Sequence, residues 1–455
     1  MAKNPKVTAF TAKISTPEIS VDDFCRYLPQ RDAYFFIPCR DLWPGSSVNA
    51  RLSPVPVLTK TGKPKKDADG NPMVLRPTIW ISRHRKVEQT TWAPGLPLLI
   101  PNRLCVAGGW IEREGTQCFN LYRPPQLELG DSSKAQPWID HVHRVLNPDD
   151  AEHTIDYLSQ RVQQPQVKPN HALVLGGEQG IGKDSLLEPL KPAVGQWNFH
   201  DISPSQLLGA FNSFAKAVIL RINEGRDLGS IDRFKFYDHA KIYTAAPPDV
   251  LRVNEKHLKE YYVVNCCGVI ITTNHRTDGI YLPADDRRHN VAWSERHKEE
   301  FSATYWRDLW GFYANGGFGH VAAYLTERDI SGFDAKAPPP RTEAFWDIVH
   351  VGEAPEDAEL LDLLESLPHR EGEKGPRAIT PKRLIAAATG NLAEWMLQNR
   401  RALPHRLGRC GYSLVRNPAA MDGYWVINKA RQPIYALNSL SMSERVQEAE
   451  GLVSR

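Results

Sequence analysis

The stretch GGEQGIGKDSLLEPL, Gly176–Leu190, decides how this chain is read. It follows the apolar run Ala172–Leu175. Gly177, Glu178, Gln179, Gly180, Ile181, Gly182 and Lys183 fit the pattern G-x-x-x-x-G-K. An apolar strand, a glycine-rich loop and a helix opening at the lysine form a phosphate cradle. The glycines let backbone N–H groups turn inward on phosphate oxygens. The helix start adds partial positive charge, and Lys183 is placed to bridge terminal phosphates. Asp184 follows, where a magnesium-binding Ser or Thr is usual. A carboxylate is also a hard oxygen ligand for Mg2+, but it brings negative charge towards the phosphates. Ser185, the nearest hydroxyl, is turned about 100° further round the helix. One of the two, Asp184 or Ser185, is expected to hold Mg2+.

Three downstream elements bear on whether the loop is active. AVILRINEGRD (217–227) is an apolar run ending in Asn223-Glu224. Glu224 is the expected general base that polarises water. Asn223 stands where Asp is commoner and reaches a metal only through water. GVIITTNH (268–275) ends an apolar strand at Asn274, an amide able to orient water against a terminal phosphate. LPADDRRHNVAW (282–293) supplies Arg287 and Arg288, which are suited to transition-state charge at a neighbouring subunit's site. Singly, Asn274 also reads as a strand-end cap and Arg287 as a surface ion pair. The order of all four elements argues against chance.

The runs Ala172–Leu175, Ala217–Leu220, Ile242–Thr244 and Gly268–Ile271 are spaced for intervening helices. They predict an α/β fold with a mostly parallel, buried sheet. The segments Tyr34–Ile37, Val55–Leu58, Thr78–Ile81 and Leu98–Ile100 read as short strands between turns. PWIDHVHRVL and AEHTIDYLSQRV carry helical periodicity. Pro338–Pro340 reads as a stiff linker.

The 455 residues allow two to four domains, and 41% hydrophobic with 24% charged residues is ordinary for a globular chain. A net charge of +3 says little about partners. Seven scattered cysteines lack zinc spacing and suit a reducing compartment. No apolar run approaches the ~18 residues of a membrane helix. The N-terminus lacks the apolar core of a signal peptide. A cytoplasmic location and no membrane partner are expected.

Loop, Asn-Glu strand, Asn strand and Arg pair, in this order, resemble the core of a superfamily 3 helicase, a branch of the AAA+ ATPases. GGEQGIGKDSLLEPLK, YTAAPPDVLRVNEKHLKEYYVVN, GVIITTNHRTDGIYLPADDRRH and WAPGLPLLI are similar to the phage and prophage primase-helicases of the poxvirus-type replicative group. The resemblance covers most of residues 30–350. That group also carries G-K-D followed by Ser or Thr, which makes Asp184 a family habit rather than a defect. It implies ATP and Mg2+ as cofactors and a ring, usually a hexamer, moving on single-stranded or forked DNA. It also implies that Lys183 binds phosphates, Glu224 activates water, Asn274 senses the γ-phosphate, and Arg287 or Arg288 completes the neighbour's site. RVNEKHLKEYY (252–262) falls where the family has a channel hairpin, so Lys256, His257 and Lys259 are expected to grip DNA. Its interleaved Glu255 and Glu260 also fit a solvated turn.

Trp395–Arg416 holds five arginines (Arg400, Arg401, Arg406, Arg409 and Arg416) and no acid. Helix, Pro404 turn, helix and a two-stranded ribbon form the order of a winged helix, with Arg400, Arg401, Arg406 and Arg409 as DNA contacts. A protein-docking unit with a solvated basic face is the alternative. The lysine-rich loop Lys60, Lys63, Lys65 and Lys66 reads as a solvated hairpin tip. The N-terminal region lacks the carboxylate cluster of two-metal primase chemistry, so any primase or polymerase partner is expected to be separate. The expected organisation is a flexible N-terminus (1–30), a β-rich domain (31–130), a helical collar (131–168) and an ATPase domain (169–335). A linker with a helical segment (336–377), a winged-helix-like unit (378–440) and a tail (441–455) follow. The expected function is an ATP-dependent DNA helicase of phage or prophage replication. The alternatives are an ATP-dependent loader without processive unwinding, and a winged-helix DNA binder with a decayed ATP site.

Overall fold

The computed structural model describes residues 18–223, 233–256, 258–275, 280–351, 355–368, 375–398, 400 and 403–453. The chain divides into two compact units, Met1–Trp346 and Asp347–Arg455.

The first unit contains a five-stranded parallel sheet. Its strands are Ala172–Gly176, Phe199–Ile202, Ile219–Asn223, Gly268–Thr273 and His289–Trp293. Numbered one to five along the chain, they lie in the order two, three, four, one, five. Ala172–Gly176 is flanked by strands four and five and is buried throughout, as a strand covered on both faces must be. From strand one the chain crosses to one side of the sheet for strands two to four. It then returns to the other side for strand five. Ligands in open parallel sheets bind outside the carboxyl ends at such a reversal, and Gly176 is the carboxyl end of strand one.

Two apolar runs differ from expectation. Ile242–Thr244 closes the helix Arg233–Thr244 instead of forming a strand. Ile242 is exposed, and the Thr244 hydroxyl donates to the Ala240 carbonyl one turn back at 2.7 Å. One edge strand, Phe199–Ile202, lies outside the expected runs, because FHDI carries two polar residues between its apolar ends. Thr78–Ile81 lies in the helix Pro77–His84, where Pro77 suits the first turn.

Before the parallel sheet, the strands Asp41–Pro44, Ala33–Phe36, Phe24–Tyr27 and Lys86–Val87 form a four-stranded sheet in that order. Phe24–Tyr27, within the stretch expected to be loose, is a core strand: Phe24 and Cys25 are wholly buried. A long ribbon, Leu99–Val106 with Gly109–Asn120, adds a second sheet. The helices Gln136–Val145 and Pro148–Gln163 follow. Arg161, wholly buried, donates to the Cys266 carbonyl at 2.6 Å, and Tyr157 donates to the Val269 carbonyl at 3.2 Å. These bonds tie the second helix to the start of strand four. The hairpin Val250–Val253 and Tyr261–Val264 is held to the N-terminal region by Thr91 Oγ1 donating to the Tyr262 carbonyl at 2.8 Å.

In the second unit the helices Pro381–Ala387, Gly390–Gln398 and Leu403–Arg409 precede the strands Tyr412–Val415 and Ile434–Leu437. These strands pair antiparallel, and Ala378–Ile379 adds a third. Leu384, Leu392, Met396, Leu403, Leu407 and Tyr412 share one core. The ribbon expected from sequence is two pairings: a second hairpin, Trp425–Ile427 with Ala430–Gln432, is inserted in the connection. Pro404 opens the third helix rather than only turning the chain.

Candidate functional site

Strand one ends at Gly176, the loop follows, and the helix Lys183–Leu187 begins at the lysine. A cavity of about 630 Å³ opens over the loop. It is lined by Gln179, Gly180, Gly182, Lys183, Asp184, Ser185, Asn223, Thr272 and Asn274, together with Trp306 and Trp310. Asn223 and Asn274 arrive from the carboxyl ends of strands three and four, which explains why residues about forty and ninety positions from Lys183 meet the loop.

Lys183 Nζ donates to the Gly177 carbonyl at 2.6 Å, the Glu178 carbonyl at 2.8 Å and Asn274 Oδ1 at 2.9 Å. Burial pushes the lysine down to about 8; the nearby Asp184 and Glu178 charges oppose that shift. Asn223 Oδ1 accepts from Thr272 Oγ1 at 3.3 Å. Glu178 accepts from His297 Nδ1 at 3.0 Å, and Ile181 is wholly buried beneath the loop.

Asp184 has a partner that its place in the motif did not reveal. Arg221, on strand three and 8% exposed, donates to Asp184 Oδ1 at 2.9 Å and also to Asp201 Oδ1. The negative charge of Asp184 is therefore paired with a guanidinium. On the expectation that the loop binds ATP, Arg221→Gln should weaken that binding roughly tenfold, about 1.4 kcal/mol, because it removes the guanidinium from Asp184. Asp184→Asn alone should be nearly neutral, and the double variant should regain most of the affinity. Equilibrium titration with a fluorescent ATP analogue checks the cycle; a loss in the double variant equal to the sum of the two single losses would reject the pairing.

The loop is braced from outside the motif. His141, on the helix Gln136–Val145, is wholly buried, and desolvation holds it down at about 4, so it is neutral. The Gly182 carbonyl lies 3.0 Å from its Nε2 and can only accept, so Nε2 carries the proton. Nδ1 then accepts from the Tyr305 hydroxyl at 2.6 Å. Trp306 and Trp310 share one face of the helix Ala303–Phe312, four residues apart. Trp310 is 45% exposed although it lines the cavity, unlike a core aromatic. Arg221, His141, Trp306 and Trp310 escaped the sequence reading; the aromatic pair at helical spacing was the one available signal.

Arg287 and Arg288 precede strand five, whose first residue His289 pairs with Ala172. They lie at the amino edge of the sheet, opposite the loop of their own chain. Beside them Asp286 is buried and accepts from Tyr237 and His289, which helps hold its carboxyl at about 2 despite burial. Lys256 and Lys259 are exposed in the turn of the 250–264 hairpin. Arg400 is exposed, and Arg406 lies 4.8 Å from the Trp395 ring centre. Glu224, His257 and Arg401 lie outside the described residues, as does the side chain of Arg409. Among the described residues no helix is long and apolar enough to cross a membrane.

The fold is thus a mixed α/β fold with a parallel sheet and a glycine-rich loop at its carboxyl edge. The model of a family of unknown function, DUF5906, matches residues 175–288, the segment from the loop to the Arg pair. The DNA primase-polymerase of Nitratiruptor phage NrS-1 is 27% identical over 186 residues, which cover 40% of this chain and 25% of that protein. The match therefore spans a quarter of the phage protein's length. The solved apo C-terminal region of NrS-1, 305–718, has a TM-score of 0.55 at 15% identity, covering 91% of this chain and 95% of that one. Another apo structure of the region has a TM-score of 0.50 at 17% identity, covering 78% and 84%. The chain is homologous to part of a phage primase-polymerase and shares the fold of that protein's C-terminal region.

Proposed function

We propose that this chain is a DNA-dependent ATPase of phage or prophage replication, a superfamily 3 helicase whose P-loop is Gly177–Lys183. The observation that carries the reading is Lys183, bonded to Asn274 at 2.9 Å inside a cavity of about 630 Å³ at the carboxyl edge of the sheet. Two residues far apart in sequence converge there, which supports the reading of a terminal-phosphate site. The strand order two, three, four, one, five supports an AAA+ core. The helices and ribbon of the second unit support a winged helix.

The cavity fits a nucleoside triphosphate. The loop amides and Lys183 meet the phosphates, and Trp306 and Trp310 offer flat apolar surface for a base. Hard oxygen donors for Mg2+ are present in Ser185, Asp184 and Asn223. Asp184 is engaged by Arg221 and Asn223 by Thr272, which favours Ser185 as the donor. Bound Mg2+ would neutralise phosphate charge. Glu224, next after Asn223, is the base for the attacking water; Asn274 moves from Lys183 to the γ-phosphate when ATP enters. Arg287 and Arg288 cannot serve their own loop from the opposite edge, which suits a ring in which each subunit completes its neighbour's site. Lys256 at the hairpin turn and Arg400 and Arg406 in the second unit are the DNA contacts.

The test is ATP hydrolysis with and without single-stranded DNA, in the wild type and in Glu224→Gln. Strong stimulation by DNA, lost in the variant while ATP still binds, is expected of a motor. ATP bound without turnover in the wild type would replace the motor with an assembly switch.

A further inference from the structure

A second cavity, of about 320 Å³, lies between the N-terminal sheets and the 250–264 hairpin. Tyr27, Phe35 and Leu42 line one side, and Leu258, Lys259 and Tyr261 of the hairpin line the other. Its volume is at the small end of ligand pockets, about 300–1,000 Å³, and suits one nucleotide rather than a length of chain.

The charges in this cavity are unbalanced. Arg40 Nε is buried and has no hydrogen-bond partner, and its Nη1 donates only to a neutral acceptor, the Ile37 carbonyl. Among the described residues neither Arg40 nor Lys259 forms an ion pair, whereas Lys216 in the same wall is tied to Glu255 at 2.7 Å. Of the cavity's two carboxylates, Glu255 is neutralised within the wall by Lys216, and Asp41 faces three cations, Arg40, Lys216 and Lys259. Glu255 also accepts from the Tyr261 hydroxyl at 2.5 Å, and Asp41 accepts from the Cys39 thiol at 2.8 Å. Burial, and then the like charge of Arg123, push the Arg40 guanidinium down. Arg40 also holds a left-handed backbone, φ 69°, uncommon outside glycine. A half-buried guanidinium with no carboxylate partner among the described residues invites an anion at its cavity-facing end. Tyr27, Phe35, Leu42, Leu258 and Tyr261 give the cavity an apolar and aromatic lining, against which a flat apolar group can rest. Phosphate and base together are the chemistry of a nucleotide. Lys256 is exposed in the same turn as Lys259.

We propose that this cavity takes one nucleotide of a single DNA strand, with its phosphate at Arg40 and Lys259 and its base against the Tyr27 side. A strand held at the hairpin turn would be gripped at a second point. Hairpin movement would then work against the N-terminal region instead of sliding along the strand. The proposal rests on the reading of the chain as a DNA-dependent motor.

The test uses the full chain with a non-hydrolysable ATP analogue and a labelled dT oligonucleotide, followed by anisotropy. Arg40→Gln removes the cation, and Leu258→Trp fills the mouth without changing charge. Each is expected to weaken binding about tenfold, with an unchanged melting temperature. If Arg40→Gln proves unstable, Leu258→Trp alone decides. A 5-iodouracil oligonucleotide is expected to crosslink to Tyr27 or Tyr261 in the wild type and not in Leu258→Trp. Both variants within twofold of wild type, with Lys256→Ala weakened, would reject the cavity and leave the motor standing. Displacement of the crosslink by equimolar free dTMP would assign the cavity to a mononucleotide and overturn the strand. No oligonucleotide binding by the wild type would defeat the motor reading, and the proposal with it.

Discussion

Lys183→Ala is expected to lower ATP hydrolysis by about 10²–10³-fold, the usual cost of removing a charged donor from a developing phosphate charge. The fold should survive, because Lys183 bonds only to loop carbonyls and Asn274, not to the sheet. Single-turnover hydrolysis with circular dichroism as a fold check measures both. An alanine variant that retains a tenth of the activity would remove Lys183 from the site. The lysine also predicts pH behaviour. In the free protein it loses its proton as pH rises through about 8, well below its ordinary 10.5. Phosphate binding needs the charged form, so affinity for ATP should fall across that window. Stability moves the other way. Between about 8 and 10.5 the unfolded chain binds more protons than the folded one, so the nucleotide-free protein gains stability as pH rises there. Lys183→Met should remove that gain, and urea titrations at several pH values would show it.

Gly182→Ala is the second large effect. Gly182 holds φ 101°, which an L side chain rarely adopts. A Cβ there would stand 2.4 Å from His141 Cε1 and 2.7 Å from the Trp306 ring. His141 cannot withdraw, since it is wholly buried and engaged at both ring nitrogens. Strain and overpacking together are expected to cost about 2–4 kcal/mol and to displace the loop, so ATP binding should disappear with the stability. Gly180→Ala is the contrast. Its φ is 91°, but its nearest neighbour would be Lys298 Cβ at an ordinary 3.6 Å. Backbone strain alone, about 1 kcal/mol, should leave ATP binding measurable. Equal losses in the two variants would show that His141 does not brace the loop.

The loop motif and the polar ends of the apolar runs could be read from sequence because they are local. A strand–glycine–lysine–helix order and an Asn at a strand end are written in adjacent residues. Parallel strands ending at one edge then bring Lys183 and Asn274 together, whatever the loops between them. Ile242–Thr244 and Thr78–Ile81 misled because three or four apolar residues do not separate strand from helix. The choice lay in what each run packs against. The tertiary structure alone decided the state of Asp184. Its charge is harmless or harmful according to Arg221, thirty-seven residues on, and that pairing depends on strand three lying beside the loop helix. His141, Trp306 and Arg40 belong to the same class. Each acts through a contact across space, and the free energy of a buried charge, a neutral imidazole or an unpaired guanidinium is set by its neighbours in the fold.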